Sequence, residues 1–180
     1  FIEYTTPRPQ ALGQVLESIG FRPIARHRSR EVMLYRQGGM NIVVNAHAGG
    51  RPDSVVPAEN PVIAAVAFRV RDAPAAYARA LARGAWTVPT HVEVMELNIP
   101  AIHGVGSSRI YFVDRYREFS IWSVDFVPIP GVERHPPALF DLRFFGLVQY
   151  IGLGRNRDWT AFYETLLGAT EAEKAKLAAP

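Results

Sequence analysis

Cysteine is absent from the 180-residue sequence, so the chain can form neither a disulfide bond nor a thiolate site. No apolar run approaches the roughly 18 residues of a membrane-spanning helix. Lysine and arginine are scattered and the formal net charge is only +3, which argues against binding to nucleic acid. These absences predict a cytoplasmic protein that binds neither membranes nor nucleic acid.

The composition is that of a folded chain. Apolar residues make up 48% of the sequence and charged residues 21%, which is typical of globular rather than disordered proteins. The length suggests one domain of ordinary size, or one domain with an extension. Because the first residue is Phe1 rather than methionine, we expect the native protein to begin upstream of it.

Three segments repeat one pattern, a short strand followed by an amphipathic helix that ends at a glycine. Gly20, Gly84 and Gly168 provide the stops, and Asp72 and Asp158 are the N-cap candidates of the second and third helices. Apolar residues recur at the i, i+3, i+4, i+7 spacing of a helix with one buried face. They are Leu12, Val15, Leu16 and Ile19 in the first helix, and Trp159, Phe162, Tyr163, Leu166 and Leu167 in the third.

Further strand-like segments follow the first two helices, so each of these units reads β-α-β-β-β. We predict the two units over residues 1–48 and 62–127, which together form one domain over residues 1–127. A proline-rich linker over residues 128–143 follows. A strand and a helix over residues 144–180 form an incomplete third unit. The predicted fold class is α+β.

The sequence of the first two units resembles a known family. A duplicated β-α-β-β-β unit is the signature of the vicinal oxygen chelate fold, in which paired curled sheets enclose a cavity and the helices lie outside. The resemblance is strongest to the N-terminal domain of bacterial 4-hydroxyphenylpyruvate dioxygenases, over about residues 1–137. Residues 144–170 resemble the start of that family's C-terminal domain. The stretches that carry the resemblance are ARHRSREVMLYRQGGMNIVVNA, VAFRVRDAPAAYARALARGA, IPAIHGVGSSRIYFVDRY and VDFVPIPGVERHPP.

The resemblance implies a non-haem iron(II) centre in the complete family, which acts on a 2-oxo acid with dioxygen. Two histidines and a glutamate hold the metal in the C-terminal domain. Only the position of the first ligand falls within this chain, and Tyr150 occupies it where relatives commonly have histidine. Neutral tyrosine is a poor iron(II) ligand compared with imidazole. We therefore expect no iron, no cofactor and no catalytic residue in this chain.

The resemblance also suggests where the first two units would hold a metal, because metal-binding members place ligands on the first and last strands of each unit. That register selects Glu3, Asn45, Ala65 and Ile121. Ala65 and Ile121 have no donor atom, and only Glu3 is an ionisable ligand. A metal site needs at least three protein donors, so we expect none here.

The remaining polar candidates have structural interpretations. No two histidines have the i, i+4 spacing of a helical metal site, and we interpret all five as solvated or structural. The stretch at residues 103–108 lacks the lysine of a phosphate-binding loop and precedes a strand, so we predict a turn. The histidines are His27, His47, His91, His103 and His135.

Aromatic and arginine residues on the predicted strands leave two possibilities each. The aromatic residues either line a cavity for a small molecule or belong to the core, which is the commoner case. Arg26, Arg28 and Arg30 share one strand face, which is either solvated or acid-binding. The aromatic residues are Tyr35, Tyr111, Phe112, Trp122 and Phe126.

Two functions remain open. In the first, the chain is part of a 4-hydroxyphenylpyruvate dioxygenase-like oxidoreductase. In the second, it is a non-catalytic module that binds a small molecule or supports assembly of a larger protein, such as a fusion with a dehydroshikimate-dehydratase-like domain. Tyr150 favours the second.

The third unit also predicts a homodimer. Its strand has no partner in the sequence after it, and an unpaired apolar strand invites pairing with another chain. We expect strand and helix to pack against a second copy. The alternative is that they fold back on the second unit of the same chain.

Overall fold

The computed structural model describes residues 1–46, 60–89, 97–116 and 120–170. The strands are β1 Ile2–Thr5, β2 Arg22–His27, β3 Val32–Gln37, β4 Met40–Asn45, β5 Val62–Arg69, β6 Ala101–His103, β7 Arg109–Val113 and β8 Phe126–Pro128. The helices are α1 Pro9–Ser18, α2 Ala73–Ala82, α3 Ile121–Asp125 and α4 Asn156–Phe162, the last continued by a wider helical turn at Tyr163–Leu167. No helix in these ranges is long and apolar enough to cross a membrane.

All eight strands belong to one mixed sheet, in the order β6-β7-β5-β1-β4-β3-β2-β8. The first unit contributes β1 to β4 and the second contributes β5 to β8. The two curled sheets predicted from the sequence are continuous, because β1 pairs antiparallel with β5 and places Ile2 opposite Val66. β8 then returns to pair with β2 of the first unit. The predicted α+β class is confirmed.

The predicted ends of the first two helices are confirmed. The side chain of Asp72 accepts a hydrogen bond from the Ala75 N–H at 2.7 Å, which satisfies one free donor at the start of α2. Gly20 and Gly84 follow α1 and α2 with φ of 98° and 93°, a conformation that other residues rarely adopt.

Three groups of buried residues form the core. One lies on the concave face of the sheet, one beneath α1, and one beneath α2. Their buried members are Ile24, Ala25, Val32, Leu34, Val43 and Phe126 on the concave face; Leu16, Phe21, Tyr35 and Val44 beneath α1; and Ala73, Ala76, Ala80, Ile102, Ile110, Phe112 and Leu166 beneath α2.

Some residues of the predicted apolar stripes are exposed. Leu16 of α1 is buried, but Val15 and Ile19 are 57% and 51% exposed, because the helix covers the sheet with a narrower stripe than the sequence suggests. Phe68 of β5, also expected to be buried, is 40% exposed, although it pairs with the buried Phe112 of β7.

The end of the second unit differs from the prediction. Ile121 was expected on a strand, but it opens α3. Ile121 and Asp125 are both buried there. Residues four apart share one face in a helix and also in a strand, so the sequence pattern does not distinguish the two at this position. The strand expected near residues 85–94 falls partly outside the described residues.

The strand predicted at residues 147–154 is wrong, since no residue between 142 and 155 belongs to a strand. A strand needs a neighbour to pair with, and the apolar pattern of one segment does not supply it. Asp158 does not cap α4 either. The helix begins at Asn156, and Asp158 lies in its first turn with an ion pair to Arg155 at 2.5 Å.

The third helix folds back on its own chain, which was the alternative to packing against a second copy. Leu166 is only 9% exposed and packs beneath α2, where Ala76 and Ala80 leave room for it. Arg83, directly after α2, donates a hydrogen bond from Nη1 to the Thr165 carbonyl at 3.0 Å. In this structure the helical face thus packs on its own chain, as in the alternative, and the homodimer stays a prediction.

Candidate functional site

The strand register brings a polar cluster together on one face of the sheet. Ala65 of β5 lies opposite Glu3 of β1 on one side and opposite Arg109 of β7 on the other. Paired residues point to the same face, so Glu3 and Arg109 flank Ala65, whose side chain is fully buried. Asn45 donates a hydrogen bond from Nδ2 to Glu3 Oε1 at 3.0 Å. Three of the four positions that the resemblance selects therefore meet, and Ile121 lies apart on α3.

Tyr111 completes this cluster. Burial raises the pKa of its hydroxyl, and the nearby charge of Glu3 raises it further, while the hydrogen bond and positive charge of Arg109 oppose the shift. The fold thus favours the neutral hydroxyl of Tyr111.

Three of the other aromatic residues take part in a chain of ring contacts, as the packing interpretation expects. The ring of Phe1 lies 5.9 Å from that of Tyr111 and 5.3 Å from that of Trp122. Trp122 in turn contacts Phe126, and Phe126 contacts the ring of His27. Tyr35 and Phe112 lie elsewhere, beneath α1 and α2.

The polar cluster does not fit a metal ion. Glu3 offers a carboxylate, but Asn45 presents its amide nitrogen to that carboxylate. Among residues 1–46, 60–89, 97–116 and 120–170, no three histidine, aspartate or glutamate side chains lie close enough together to hold a metal. Three donors are the least that such a site requires.

The described histidines lie on separate elements. His27 ends β2 and is half-buried, His103 ends β6 and is exposed, and His135 is exposed in the linker. The ring of His27 meets the edge of Phe126 at 5.3 Å. His47 and His91 fall outside the described residues. The turn predicted at residues 103–108 is present as the short helical turn Val105–Ser107.

Tyr150, the position where the resemblance implies an iron ligand, is 95% exposed. It lies in the segment without strand or helix that precedes α4. Its neighbour Gln149 accepts a hydrogen bond from the Tyr163 hydroxyl at 2.8 Å.

An open groove of about 660 Å³ lies on the other face of the sheet, between the start of α1 and the β2–β3 hairpin. Arg26, Arg28 and Arg30 all line this groove. The three arginines that the sequence places on one strand face therefore do lie together. The apolar residues beneath them come from β3, β4 and β8, which the spacing of the arginines could not reveal.

Sequence reasoning missed Gln37, which is completely buried at the end of β3. Its Nε2 donates to the Ile19 carbonyl at 2.7 Å, and its Oε1 accepts from the Leu139 N–H at 3.4 Å. Gln37 thus joins the end of α1 to the linker. A single glutamine beside a Gly-Gly turn carries no signal that would reveal this.

A family profile described as "Hydroxyphenylpyruvate dioxygenase, HPPD, N-terminal" matches residues 1–127. The chain belongs to this family. This family assignment agrees with the fold, since the matched residues are those of the eight-stranded sheet and its helices up to β8.

Two kinds of named protein are similar in sequence to this chain. It is 40% identical over 174 residues to the 4-hydroxyphenylpyruvate dioxygenase of Pseudomonas sp. (strain P.J. 874), covering 95% of this chain and 48% of that protein. It is 38% identical over 117 residues to a 3-dehydroshikimate dehydratase of Pseudomonas aeruginosa, covering 64% of this chain and 18% of that protein. The chain spans about half the length of the dioxygenase that it matches.

A solved structure has the same fold. It is titled "xylose isomerase-like TIM barrel/4-hydroxyphenylpyruvate dioxygenase fusion protein" and superposes with a TM-score of 0.68 at 27% identity. The superposition covers 93% of this chain and 26% of that one. HPPD-type domains thus occur both in dioxygenases and in a fusion with a barrel.

Proposed function

We propose that this chain is the metal-free N-terminal half of an HPPD-like oxidoreductase, and that its function is to hold a second half that carries the iron(II) site. The observation that supports this most is a strip of uncovered apolar side chains that begins in the last residues of the linker and ends shortly before α4. We define residues 140–153 as the strap.

The strap exposes large apolar side chains almost completely. Phe140, Phe145 and Leu153 are fully exposed, and Val148 is 84% exposed. Leaving a large apolar side chain in water rather than burying it costs about 1.5–3 kcal/mol. Contiguous apolar surface of this kind marks an interaction site in a soluble protein.

Both ends of the strap are fixed to the domain. On one side, the linker is held by Gln37 and by the Gly38 N–H, which donates to the Pro136 carbonyl at 2.8 Å. On the other side, Arg83 and Leu166 hold α4 against α2. The strap is therefore presented on the surface by two anchors, and a second half of similar length would cover it.

Iron(II) belongs to that second half in this proposal. The described part of this chain offers Glu3 and Asn45 on the sheet and the exposed Tyr150 on the strap, and these residues do not fit the metal. No chemical step is therefore assigned to this chain.

A second candidate is a non-catalytic module of a fused protein. The superposition on 93% of the chain with a barrel fusion favours it, as does tyrosine at position 150. In this case the second half would lack an iron site.

Chimeras with the Pseudomonas sp. dioxygenase would test the proposal. In the first chimera, residues 1–137 of this chain replace the equivalent part of that enzyme; in the second, residues 1–170 do. We expect the first to consume oxygen with 4-hydroxyphenylpyruvate, because it retains all of the enzyme's own ligands. We expect the second to be inactive, because Tyr150 then replaces the residue that the resemblance makes the first iron ligand of that enzyme, and Tyr150→His to restore its activity.

Iron content and circular dichroism of each chimera provide the controls. A first chimera that folds and binds iron but consumes no oxygen would contradict the supporting function. Full activity of the second chimera with Tyr150 in place would contradict the assignment of that position.

A further inference from the structure

The groove beside α1 combines an apolar floor with a cationic rim. Met33 and Tyr35 of β3, Val44 of β4 and Val127 of β8 form the floor. The volume of about 660 Å³ falls within the range of about 300–1,000 Å³ that small-molecule sites occupy. The floor therefore suits an apolar body of a few carbon atoms.

The rim carries three guanidinium groups, those of Arg26, Arg28 and Arg30, against one carboxylate, that of Glu31. Arg28 is held in place because its Nε donates to the Val124 carbonyl at 2.5 Å. This bond uses one of the five N–H groups of a guanidinium. The excess of positive charge favours an anion above the apolar floor.

Arg26 differs from its neighbours. It is exposed on β2, and within the described ranges its guanidinium has no hydrogen bond or ion pair. A guanidinium binds a carboxylate through two parallel N–H···O bonds, which gives affinity and orientation together.

We propose that this groove binds a small carboxylate with an aliphatic body, whose chain lies on Met33, Val44 and Val127 and whose carboxylate pairs with Arg26. The site is on the opposite face of the sheet from the Glu3 cluster and is separate from the strap. It does not depend on the function proposed above.

Methyl-labelled methionine provides the test in the full chain, with hexanoate as the probe. Met33 lines the groove, and Met40, at the start of β4, does not. We expect hexanoate to shift the Met33 methyl signal in a saturable manner and to leave the Met40 signal in place. Hexanamide has the same aliphatic body without the charge. Its affinity should be lower than that of hexanoate by at least about tenfold.

Two arginine variants of β2 separate a specific site from general attraction by positive charge. Arg26→Gln should weaken hexanoate binding about tenfold, whereas Arg22→Gln, on the same strand but outside the groove, should change it by less than about twofold. Equal effects of the two substitutions would overturn the proposal. So would the absence of a saturable Met33 shift, or equal affinity for hexanamide, and neither of these results requires a variant to fold.

Discussion

Gly20 and Gly84 end their helices with nearly the same backbone conformation but in different surroundings. A Cβ atom at position 20 would lie 2.6 Å from Leu139 Cδ1, whereas one at position 84 would meet no atom within 4 Å. Both glycines avoid the strain of a positive φ, and Gly20 in addition makes room for the linker.

This difference predicts unequal effects of alanine. Gly84→Ala should lower the free energy of unfolding by about 1–2 kcal/mol, through backbone strain alone. Gly20→Ala should cost more, because Gln37 and Leu139 must also move and their hydrogen bond weakens. Urea unfolding of both variants is the measurement, and equal losses would show that Gly20 has no packing function.

Tyr111 predicts a dependence of stability on alkaline pH. Burial raises the pKa of its hydroxyl above the ordinary value of about 10. Its contribution to stability is therefore complete below that value and is lost as pH rises through the raised pKa of the folded state. Between about pH 9 and pH 11, the wild-type chain should lose more free energy of unfolding than Tyr111→Phe does. Parallel losses in the two proteins would contradict this.

Among the structural elements, α4 and the strap have similar apolar sequences but opposite environments. Leu166, beyond α4, is 9% exposed, whereas Leu153, at the end of the strap, is fully exposed. Leu166→Ala should therefore lower the free energy of unfolding by about 2–3 kcal/mol. Leu153→Ala should change it by less than about 0.5 kcal/mol. If denaturant unfolding gave the same value for both, α4 would not be anchored on α2 in solution.

The sequence predicts elements best where the pattern is local. The presence of α1 and α2, the Asp72 cap and the stops at Gly20 and Gly84 depend on neighbouring residues alone. The strand predicted at residues 147–154 and the position of Ile121 depend on partners distant in sequence, which no local pattern specifies. For the same reason the Glu3–Asn45 pair was found through the resemblance to a known fold, whereas the buried bridge of Gln37 was not found.

For the whole molecule, the uncovered strap predicts association when no second half is present. We propose that two copies of this chain then pair through their straps to form a homodimer, which buries side chains such as Phe145 and Val148. Light scattering after size exclusion should give twice the chain mass of 20.0 kDa. The combined variant Phe145→Ser, Val148→Ser, Leu153→Ser should be a monomer with unchanged circular dichroism. A wild-type monomer would contradict the dimer.

The iron content of the purified chain shows directly whether this HPPD-type half holds a metal. The chain and its Tyr150→His variant would be incubated with iron(II) without oxygen, freed of excess metal and analysed for iron and for oxygen uptake with 4-hydroxyphenylpyruvate. We expect no stoichiometric iron and no oxygen uptake in either protein, because a single added histidine leaves too few ligands. One iron per chain, with oxygen uptake that depends on the substrate, would contradict it.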